Sequence, residues 1–224
     1  MDNTIIFIRH GESTSNKILH ERLDSDTNED IDRKIQAIKN PLLTDLGHTQ
    51  AKCVSKYLME LLKRTNVKNC RVCASTYQRT IQTADPLAKE LDIPINIIEG
   101  SHEYTPIIKS VEGYPVDESF ESFKIRVHRC LNNLKDQLLE NPSSPLIVFG
   151  HSLVISYIIS SLNREYEDMG HFNGDHLTFQ IPNASITTIK YHNGKEKWIA
   201  SNVSNMFHLG EYKTGNSSVV GSMH

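Results

Sequence analysis

Four basic side chains in this sequence follow short apolar segments, and a helical pattern comes after each segment. The segments are Thr4–Ile8, which precedes Arg9 and His10, Arg71–Ala74, which precedes Arg79, and Leu146–Phe149, which precedes His151. Such an order is typical of strands in a parallel α/β sheet. Because ligands bind beyond the carboxyl ends of these strands, we expect the four side chains to meet in one site. Arginine and histidine together indicate an anion site, and the guanidinium fork matches phosphate oxygens.

Four short motifs around these residues occur in the order found in a known family. They are Arg9-His10-Gly11-Glu12-Ser13 with Asn16 three residues on, Pro41-Leu42-Leu43-Thr44-Asp45-Leu46-Gly47, Ser75 to Ala84 with Arg79 inside it, and Gly150-His151-Ser152. From residue 4 to about residue 209, the chain resembles the histidine phosphatase superfamily, which includes cofactor-dependent phosphoglycerate mutases and many small phosphatases. An Arg-His-Gly triplet alone would be weak support, whereas four motifs in family order at strand ends are specific.

The resemblance implies a role for each of these side chains, and the roles agree with their chemistry. His10 would be the nucleophile, because a neutral imidazole nitrogen can attack phosphorus when its other nitrogen donates to a carbonyl. Arg9, Arg79 and a protonated His151 would surround the phosphoryl oxygens with positive charge, and the amide of Asn16 would be a neutral donor. With this fixed charge at the site, we expect neither a metal nor a cofactor.

A carboxyl group is needed to protonate the leaving oxygen and then to activate the attacking water. Family members place this acid in a Leu-x-Glu pattern after the third strand and helix unit, where this chain has Ser101-His102-Glu103. The leucine is missing here, which leaves Glu99 open as the alternative. We predict that Glu103 is the general acid and base.

The helices and strands that would position these residues can be predicted from the sequence between the motifs. Apolar or small residues three and four apart predict a helix after Thr44, another near Glu118–Glu140 and a third after His151. The fold class predicted is α/β, a three-layer sandwich with a mainly parallel central sheet flanked by helices, and the resemblance implies a phosphoglycerate mutase-like arrangement. Period-two patterns at residues 177–181 and 186–199 predict strands, with a hairpin beside the sheet.

The boundaries follow from these elements. We predict one histidine phosphatase domain over residues 1–209 and a polar, disordered tail over residues 210–224. The charged segment Lys17–Asn40 is interpreted as a solvated flap over the site. Its alternating acidic residues resemble a calcium loop, but Glu29 stands where that loop needs glycine, so no metal site is predicted. We expect Tyr104–Asp117 to form one wall of the pocket.

The composition argues against several classes of protein. A net charge of −3 gives no global attraction to nucleic acid or to acidic membranes. No apolar run reaches the length of a membrane helix, and the first residues lack the features of a secretory signal, so we expect a soluble, cytoplasmic protein. Cys70 and Cys73 form a C-x-x-C without a second pair, which favours packed side chains over a zinc or redox site.

These observations predict a phosphatase that hydrolyses a small phosphomonoester through a phosphohistidine on His10. A cofactor-dependent phosphoglycerate mutase is the nearest alternative, since it shares every core residue. Two departures favour hydrolysis: Ser15 stands where the mutases usually have tryptophan, and they carry a longer insertion in place of Tyr104–Asp117. A phosphate-recognising scaffold without activity is the third interpretation. The sequence predicts neither the substrate nor the oligomeric state.

Overall fold

The computed structural model of the chain describes residues 1–23, 25–38, 40–104, 118–162 and 181–214. Its centre is a sheet of six strands: β1 Thr4–Arg9, β2 Arg71–Ala74, β3 Ile95–Ile97, β4 Leu146–Gly150, β5 Ile186–His192 and β6 Lys197–Asn205. Their order across the sheet is β3-β2-β4-β1-β5-β6. The first four strands run parallel to one another, and β5 is antiparallel to both β1 and β6. This arrangement confirms the mainly parallel sheet.

The described ranges contain the α-helices α1 Thr14–His20, α2 Asn28–Gln36, α3 Asp45–Arg64, α4 Gln78–Leu91, α5 Phe120–Glu140 and α6 Ser152–Ser161. Short 3-10 turns follow at Asn193–Lys195 and Phe207–Tyr212. Thr44 caps α3 as predicted, because its Oγ1 accepts a hydrogen bond from the backbone N–H of Gly47 at 3.1 Å. Within the described ranges, none of the helices has the length and apolar character needed to cross a membrane.

Alternating side chains of the central strands build the two sides of the core. Ile5 and Phe7 of β1 lie in an apolar cluster with buried residues of α5 and α6. Ile6 and Ile8 lie in a second cluster with residues of α3 and α4. Because helices cover both faces, the parallel strands are buried throughout, as is usual for such sheets. The three predicted layers are therefore confirmed.

The predicted hairpin lies in the sheet instead of beside it. Strand β5 pairs with β1 from Thr4 opposite Lys190 to Ile8 opposite Ile186. The parallel neighbour β4 satisfies only one edge of β1, and β5 satisfies the backbone groups of the other edge. The strand predicted at residues 177–180 lies outside the described residues, and Ile181 precedes β5 in a loop.

The first five residues of the predicted tail are described by the structure. Residues 207–212 form a turn in which Leu209 is buried, and Nε2 of Gln50 donates to the carbonyl of Tyr212 at 2.8 Å. The contacts of Tyr212 and Thr214 with Gln50 join residues 210–214 to α3, and the predicted disorder of the tail stays a prediction. Residues 215–224 lie outside the described part of the chain.

Two other predicted segments are described only in part. The flap Lys17–Asn40 contains most of α1 and all of α2, whose described side chains are largely exposed apart from buried Ile31. Its position over the site stays a prediction. The predicted pocket wall is described only at Tyr104, since residues 105–117 lie outside the described ranges.

Candidate active site

The register of the sheet places the two histidines side by side. Arg9 at the end of β1 pairs with Gly150 at the end of β4, so that His10 and His151 are the next residues of neighbouring strands. The backbone N–H of His10 donates to the carbonyl of Gly150 at 3.0 Å. The two imidazole rings lie with their centroids 5.4 Å apart. The expected convergence at the carboxyl edge of the sheet is thus present.

The hydrogen bonds of His10 define its tautomer. Its Nδ1 lies 2.7 Å from the carbonyl of Gly11, which can only accept, so Nδ1 carries the proton. Its Nε2 accepts a hydrogen bond from Nε of Arg79 at 3.1 Å. Burial, together with the charges of Arg79 and Arg9, lowers the pKa of His10 well below its usual range. The ring is therefore neutral, with its lone pair on Nε2.

Arg79 bridges the two imidazoles. This side chain is only 8% exposed, and its NH2 group lies 3.2 Å from Nδ1 of His151. The guanidinium also stacks over the ring of Tyr77, at 4.7 Å from the centroid. Arg79 belongs to the first turn of α4, so the turn after β2 delivers a buried positive charge directly between the histidines.

His151 is neutral in this arrangement, and its protonated form beside a phosphoryl group stays a prediction. Its Nδ1 faces a guanidinium that only donates, so the ring proton is on Nε2, which donates to Oγ of Ser75 at 2.6 Å. Burial and the charge of Arg79 lower the pKa of His151 well below its usual range. A phosphate dianion would act in the opposite direction on this pKa.

Arg9 is oriented into the site by the chain after residue 180. Its NH1 donates to the carbonyl of Ile181 at 2.6 Å, whereas its buried Nε has no hydrogen-bond partner among the described residues. Burial lowers the pKa of Arg9 to about 10, an effect that nearby Glu103 opposes and Arg79 reinforces. Arg9 is therefore still charged at neutral pH, and its Nε remains available for an oxygen of a bound anion.

Glu103 is a partly buried residue whose carboxyl group interacts with the charges of both arginines. Burial raises the pKa of Glu103, while Arg79, Arg9 and hydrogen bonds from two backbone N–H groups pull in the other direction. These donors are the N–H of Tyr104 at 3.1 Å and that of Leu153, in the first turn of α6, at 3.4 Å. The alternative carboxyl, Glu99, is exposed. The geometry thus favours Glu103 as a proton donor at the site.

Asn16 presents its amide in one orientation. Its Oδ1 accepts from the N–H of Ser13 at 3.2 Å, from Oγ of Ser13 at 2.9 Å and from Nδ2 of Asn183 at 3.0 Å. With the oxygen held in this way, Nδ2 points away from these donors and makes no hydrogen bond to any described residue. The amide hydrogens of Asn16 are therefore free to donate to an anion.

The described residues give no support to a metal site in the acidic segment or to a zinc or redox site at the C-x-x-C pair. Asp24 and the side chain of Asp32 lie outside what is described, and no cluster of three or more potential metal ligands occurs among the described residues. Burial raises the pKa of the Cys73 thiol to about 11, so this group is not a thiolate at neutral pH. Cys73 instead packs in the core cluster under α5.

Comparison with known proteins identifies the family. The sequence model of the histidine phosphatase superfamily (branch 1) matches residues 5–106 and 104–204. The chain belongs to the histidine phosphatase superfamily. The four motifs that surround His10, Thr44, Arg79 and His151 all fall inside the matched region, which supports the predicted resemblance. No curated protein sequence matches the chain.

Solved structures of phosphatases are similar to this histidine phosphatase in fold. Phosphoserine phosphatase from Entamoeba histolytica, in complex with 3-phosphoglyceric acid, is 21% identical with a TM-score of 0.62, over 92% of this chain and 98% of that chain. A mycobacterial glucosyl-3-phosphoglycerate phosphatase in complex with VO3 is 15% identical with a TM-score of 0.62, over 91% of this chain and all (100%) of that chain. At these identities, the likeness shows the fold.

Three residues of this histidine phosphatase site were not predicted. Ser75 lies inside a predicted motif, but its contact with His151 depends on β2 and β4 being neighbours. Nδ2 of Asn183 donates to the carbonyls of His10 at 3.1 Å and Gly11 at 3.3 Å, as well as to Asn16. Oε1 of Gln50 accepts from the N–H of Glu12 at 2.7 Å. The sequence carries no local signal for Asn183 or Gln50, since both reach the site only through tertiary packing.

Proposed function

We propose that this protein is a phosphatase that hydrolyses a small phosphomonoester through a phosphohistidine formed on Nε2 of His10. The observation that carries the proposal is the state of His10: a neutral ring, with its Nδ1 proton held by the Gly11 carbonyl and its Nε2 lone pair at the centre of the site. This is the form of imidazole that can act as a nucleophile toward phosphorus. Two arginines beside it supply the charge that the transferring group needs.

In the first step, Nε2 of His10 forms a bond to phosphorus while the bond from phosphorus to the ester oxygen breaks. Protonated Glu103 gives its proton to that oxygen, and the alcohol leaves. Arg9 and Arg79 bind the three phosphoryl oxygens, and Asn16 adds a neutral donor. The pKa of Glu103, which burial raises, favours the protonated form that this step requires.

In the second step, water attacks the phosphohistidine. The carboxylate of Glu103 accepts a proton from the water, the new oxygen–phosphorus bond forms, and the bond to Nε2 of His10 breaks. Inorganic phosphate then leaves, and both His10 and Glu103 regain their starting protonation states. The Ser75 hydroxyl orients His151 beside the phosphoryl group throughout.

Trapping of the phosphoenzyme tests this proposal. Incubation with a 32P-labelled monoester and rapid quenching in base should leave up to one label per chain, in a bond that is stable to alkali and labile to acid. His10→Ala should abolish both label and turnover, whereas the same change at exposed His48 should affect neither. If His10→Ala kept turnover within about tenfold of the parent, nucleophilic catalysis by His10 would be contradicted, because the loss of a catalytic nucleophile usually lowers the rate by far more. An unlabelled, inactive parent would favour the phosphate-recognising scaffold.

The phosphoglycerate mutase alternative shares all of these groups and differs only in the acceptor of the phosphoryl group. The segment on which this comparison depends, residues 105–117, lies outside the described residues. Ser15, in the position where mutases usually have tryptophan, places its hydroxyl 3.0 Å from that of Ser13, within the cap of α1. We expect hydrolysis because the small side chain leaves more room for water near Asn16.

A direct comparison of products separates the two activities. The protein receives 3-phosphoglycerate with catalytic 2,3-bisphosphoglycerate, and the release of phosphate and the formation of 2-phosphoglycerate are both followed. Similar folds act on phosphoserine and glucosyl-3-phosphoglycerate, so these two esters are the first further substrates to assay. We expect phosphate release to dominate. Isomerisation faster than hydrolysis of every monoester tested would favour the mutase.

A further inference from the structure

The turn that carries Glu103 is held by a buried ion pair at the start of α5. NH1 of Arg126 donates to the carbonyl of Gly100 at 2.6 Å and to the carbonyl of His102 at 2.9 Å. Both acceptors belong to the backbone immediately before Glu103. One guanidinium nitrogen thus fixes the path of the chain on both sides of Ser101, and it does so over residues that belong to no helix or strand.

The opposite side of the same guanidinium is occupied by Glu118. Nε of Arg126 donates to Oε1 of Glu118 at 2.7 Å, and NH2 donates to Oε2, which makes the pair bidentate. The two side chains are only 16% and 15% exposed. The guanidinium also lies over the ring of Phe123, at 5.4 Å from its centroid. With its plane fixed in this way, Arg126 can hold the two carbonyls in one geometry.

The backbone of this turn needs such support. Gly100 has φ of +77°, a left-handed conformation that is open to glycine at little cost, and Oγ of Ser101 donates back to the carbonyl of Ile98 at 2.7 Å. The turn is thus tight, but its backbone groups make few hydrogen bonds to one another among the described residues. The charges that act most on the pKa of Glu103 are those of Arg79 and Arg9, so the effect of Arg126 on Glu103 is geometric.

We propose that Arg126, together with Glu118, is the positioning residue that sets the carboxyl group of Glu103 against the leaving oxygen of the substrate. The inference rests on the proposed role of Glu103 as general acid. A general acid must lie within hydrogen-bond reach of the oxygen that it protonates, and a displacement of about 1 Å can cost roughly 100-fold in rate. Arg126 touches neither the phosphoryl group nor the reacting atoms. Its loss should therefore impair protonation of the leaving group and spare attack by His10.

The test compares an alkyl phosphate such as β-glycerophosphate, whose alkoxide must be protonated, with p-nitrophenyl phosphate, whose leaving group needs little protonation. Arg126→Met keeps the packing on Phe123 but loses all four hydrogen bonds. We expect kcat to fall by about 100-fold on the alkyl ester and by less than about threefold on the aryl ester. Arg126→Lys keeps the charge but not the fork, and it should show the same selectivity with a smaller loss. The matched control is Arg129→Met at an exposed position of α5.

Four outcomes decide the inference. The selective loss described above, with unchanged 32P-labelling of His10 by the aryl ester, supports it. Two results would overturn it. One is an equal loss on both esters in Arg126→Lys, whose thermal midpoint reports whether the fold is intact. The other is no loss on either ester in Arg126→Met. Equal losses in Glu103→Gln would remove the general acid itself and this inference with it, while labelling of His10 would still stand.

Discussion

At the residue scale, one guanidinium contacts both imidazoles of the candidate site. Arg79 donates from Nε to Nε2 of His10 and from NH2 to Nδ1 of His151. Arg79 therefore satisfies the Nε2 lone pair of His10, and the proposed attack on phosphorus would require that this hydrogen bond be exchanged for the bond to phosphorus. The oxygens of the arriving phosphoryl group are stronger acceptors than imidazole, so the same N–H groups can turn to them. This exchange keeps His10 neutral without leaving a buried lone pair unsatisfied.

Replacement of Glu103 should separate protonation of the leaving group from phosphoryl transfer. Glu103→Gln keeps the shape of the side chain, and its single amide oxygen can accept only one of the two hydrogen bonds from Tyr104 and Leu153. The amide cannot protonate the leaving oxygen. We expect kcat on an alkyl phosphate to fall by about 100-fold or more, with less than about tenfold loss on p-nitrophenyl phosphate. Equal losses on the two esters would assign the acid elsewhere, with Glu99 as the next carboxyl to replace.

The pH profile of the same variant provides an independent check. The acid form of Glu103 is the active one in the first step, so the rate on the alkyl ester should fall as pH rises through the raised pKa of this group. This basic limb should be absent in Glu103→Gln.

At the scale of elements, the N-terminus of α3 helps to position His10, because it packs against the loop after β1. A Cβ built on Gly11 would lie 2.6 Å from the carbonyl oxygen of Gly47, and one built on Gly47 would overlap the carbonyl oxygen of Glu12. Thr44 tightens the same contact, since its Oγ1 donates to Oε1 of Glu12 at 2.7 Å. Two glycines thus allow a helix and the nucleophile loop to approach backbone to backbone.

Gly47→Ala should push α3 away from this loop. Because backbone atoms stand in the way, we expect a loss of about 1–3 kcal/mol in the free energy of unfolding and a clear fall in kcat on p-nitrophenyl phosphate. Urea denaturation and steady-state kinetics measure the two effects. The matched control is Gly194→Ala in the hairpin turn, where a Cβ meets nothing within 4 Å and stability should change by less than about 0.5 kcal/mol. A Gly47→Ala protein that behaved like this control would show that the close approach is unimportant.

The whole molecule should lose stability in mild acid because it buries neutral histidines. His10 and His151 have pKa values well below the ordinary value, which applies in the unfolded chain. As pH falls below about 6.5, the unfolded state takes up protons that the folded state does not, so the free energy of unfolding decreases by up to about 1.4 kcal/mol per pH unit for each ring. Glu103 has the opposite effect on stability. Because its pKa is raised in the folded protein, the free energy of unfolding decreases as the pH rises above the ordinary pKa of a glutamate.

Urea denaturation between pH 5 and pH 7 measures this slope. His10→Gln should reduce the pH dependence whatever its effect on absolute stability, whereas His48→Gln, at an exposed position of α3, should leave it unchanged. An identical slope in the parent and in His10→Gln would mean that His10 is not buried in its neutral form.

The sequence by itself determined the parts of the molecule that depend on short windows. The three strands that end at the site were predicted, as were helices α3, α5 and α6, because an apolar run and a three-and-four spacing are complete within about 20 residues. Helices α1 and α2 were not predicted as such, since residues 17–40 were interpreted as a charged, solvated flap. Since parallel strands share one carboxyl edge, the meeting of Arg9, His10, Arg79 and His151 followed from the same pattern. The motifs then identified the family, which the family comparison confirmed.

Only the tertiary structure decided the features that depend on distant neighbours. The hairpin joined the sheet because β1 had a free edge, and this pairing brought Asn183 to the carbonyl of His10. The charge of His151 could not be settled from the sequence, because its protonation depends on burial and on Arg79, which is 72 residues away in the chain. Arg126 likewise reaches the carbonyls of Gly100 and His102, just before Glu103, at a turn whose backbone conformation has no local signature beyond Gly100. Periodicity encodes which face of an element is buried, whereas pKa values and hydrogen-bond partners are set by whatever the folded chain places beside each group.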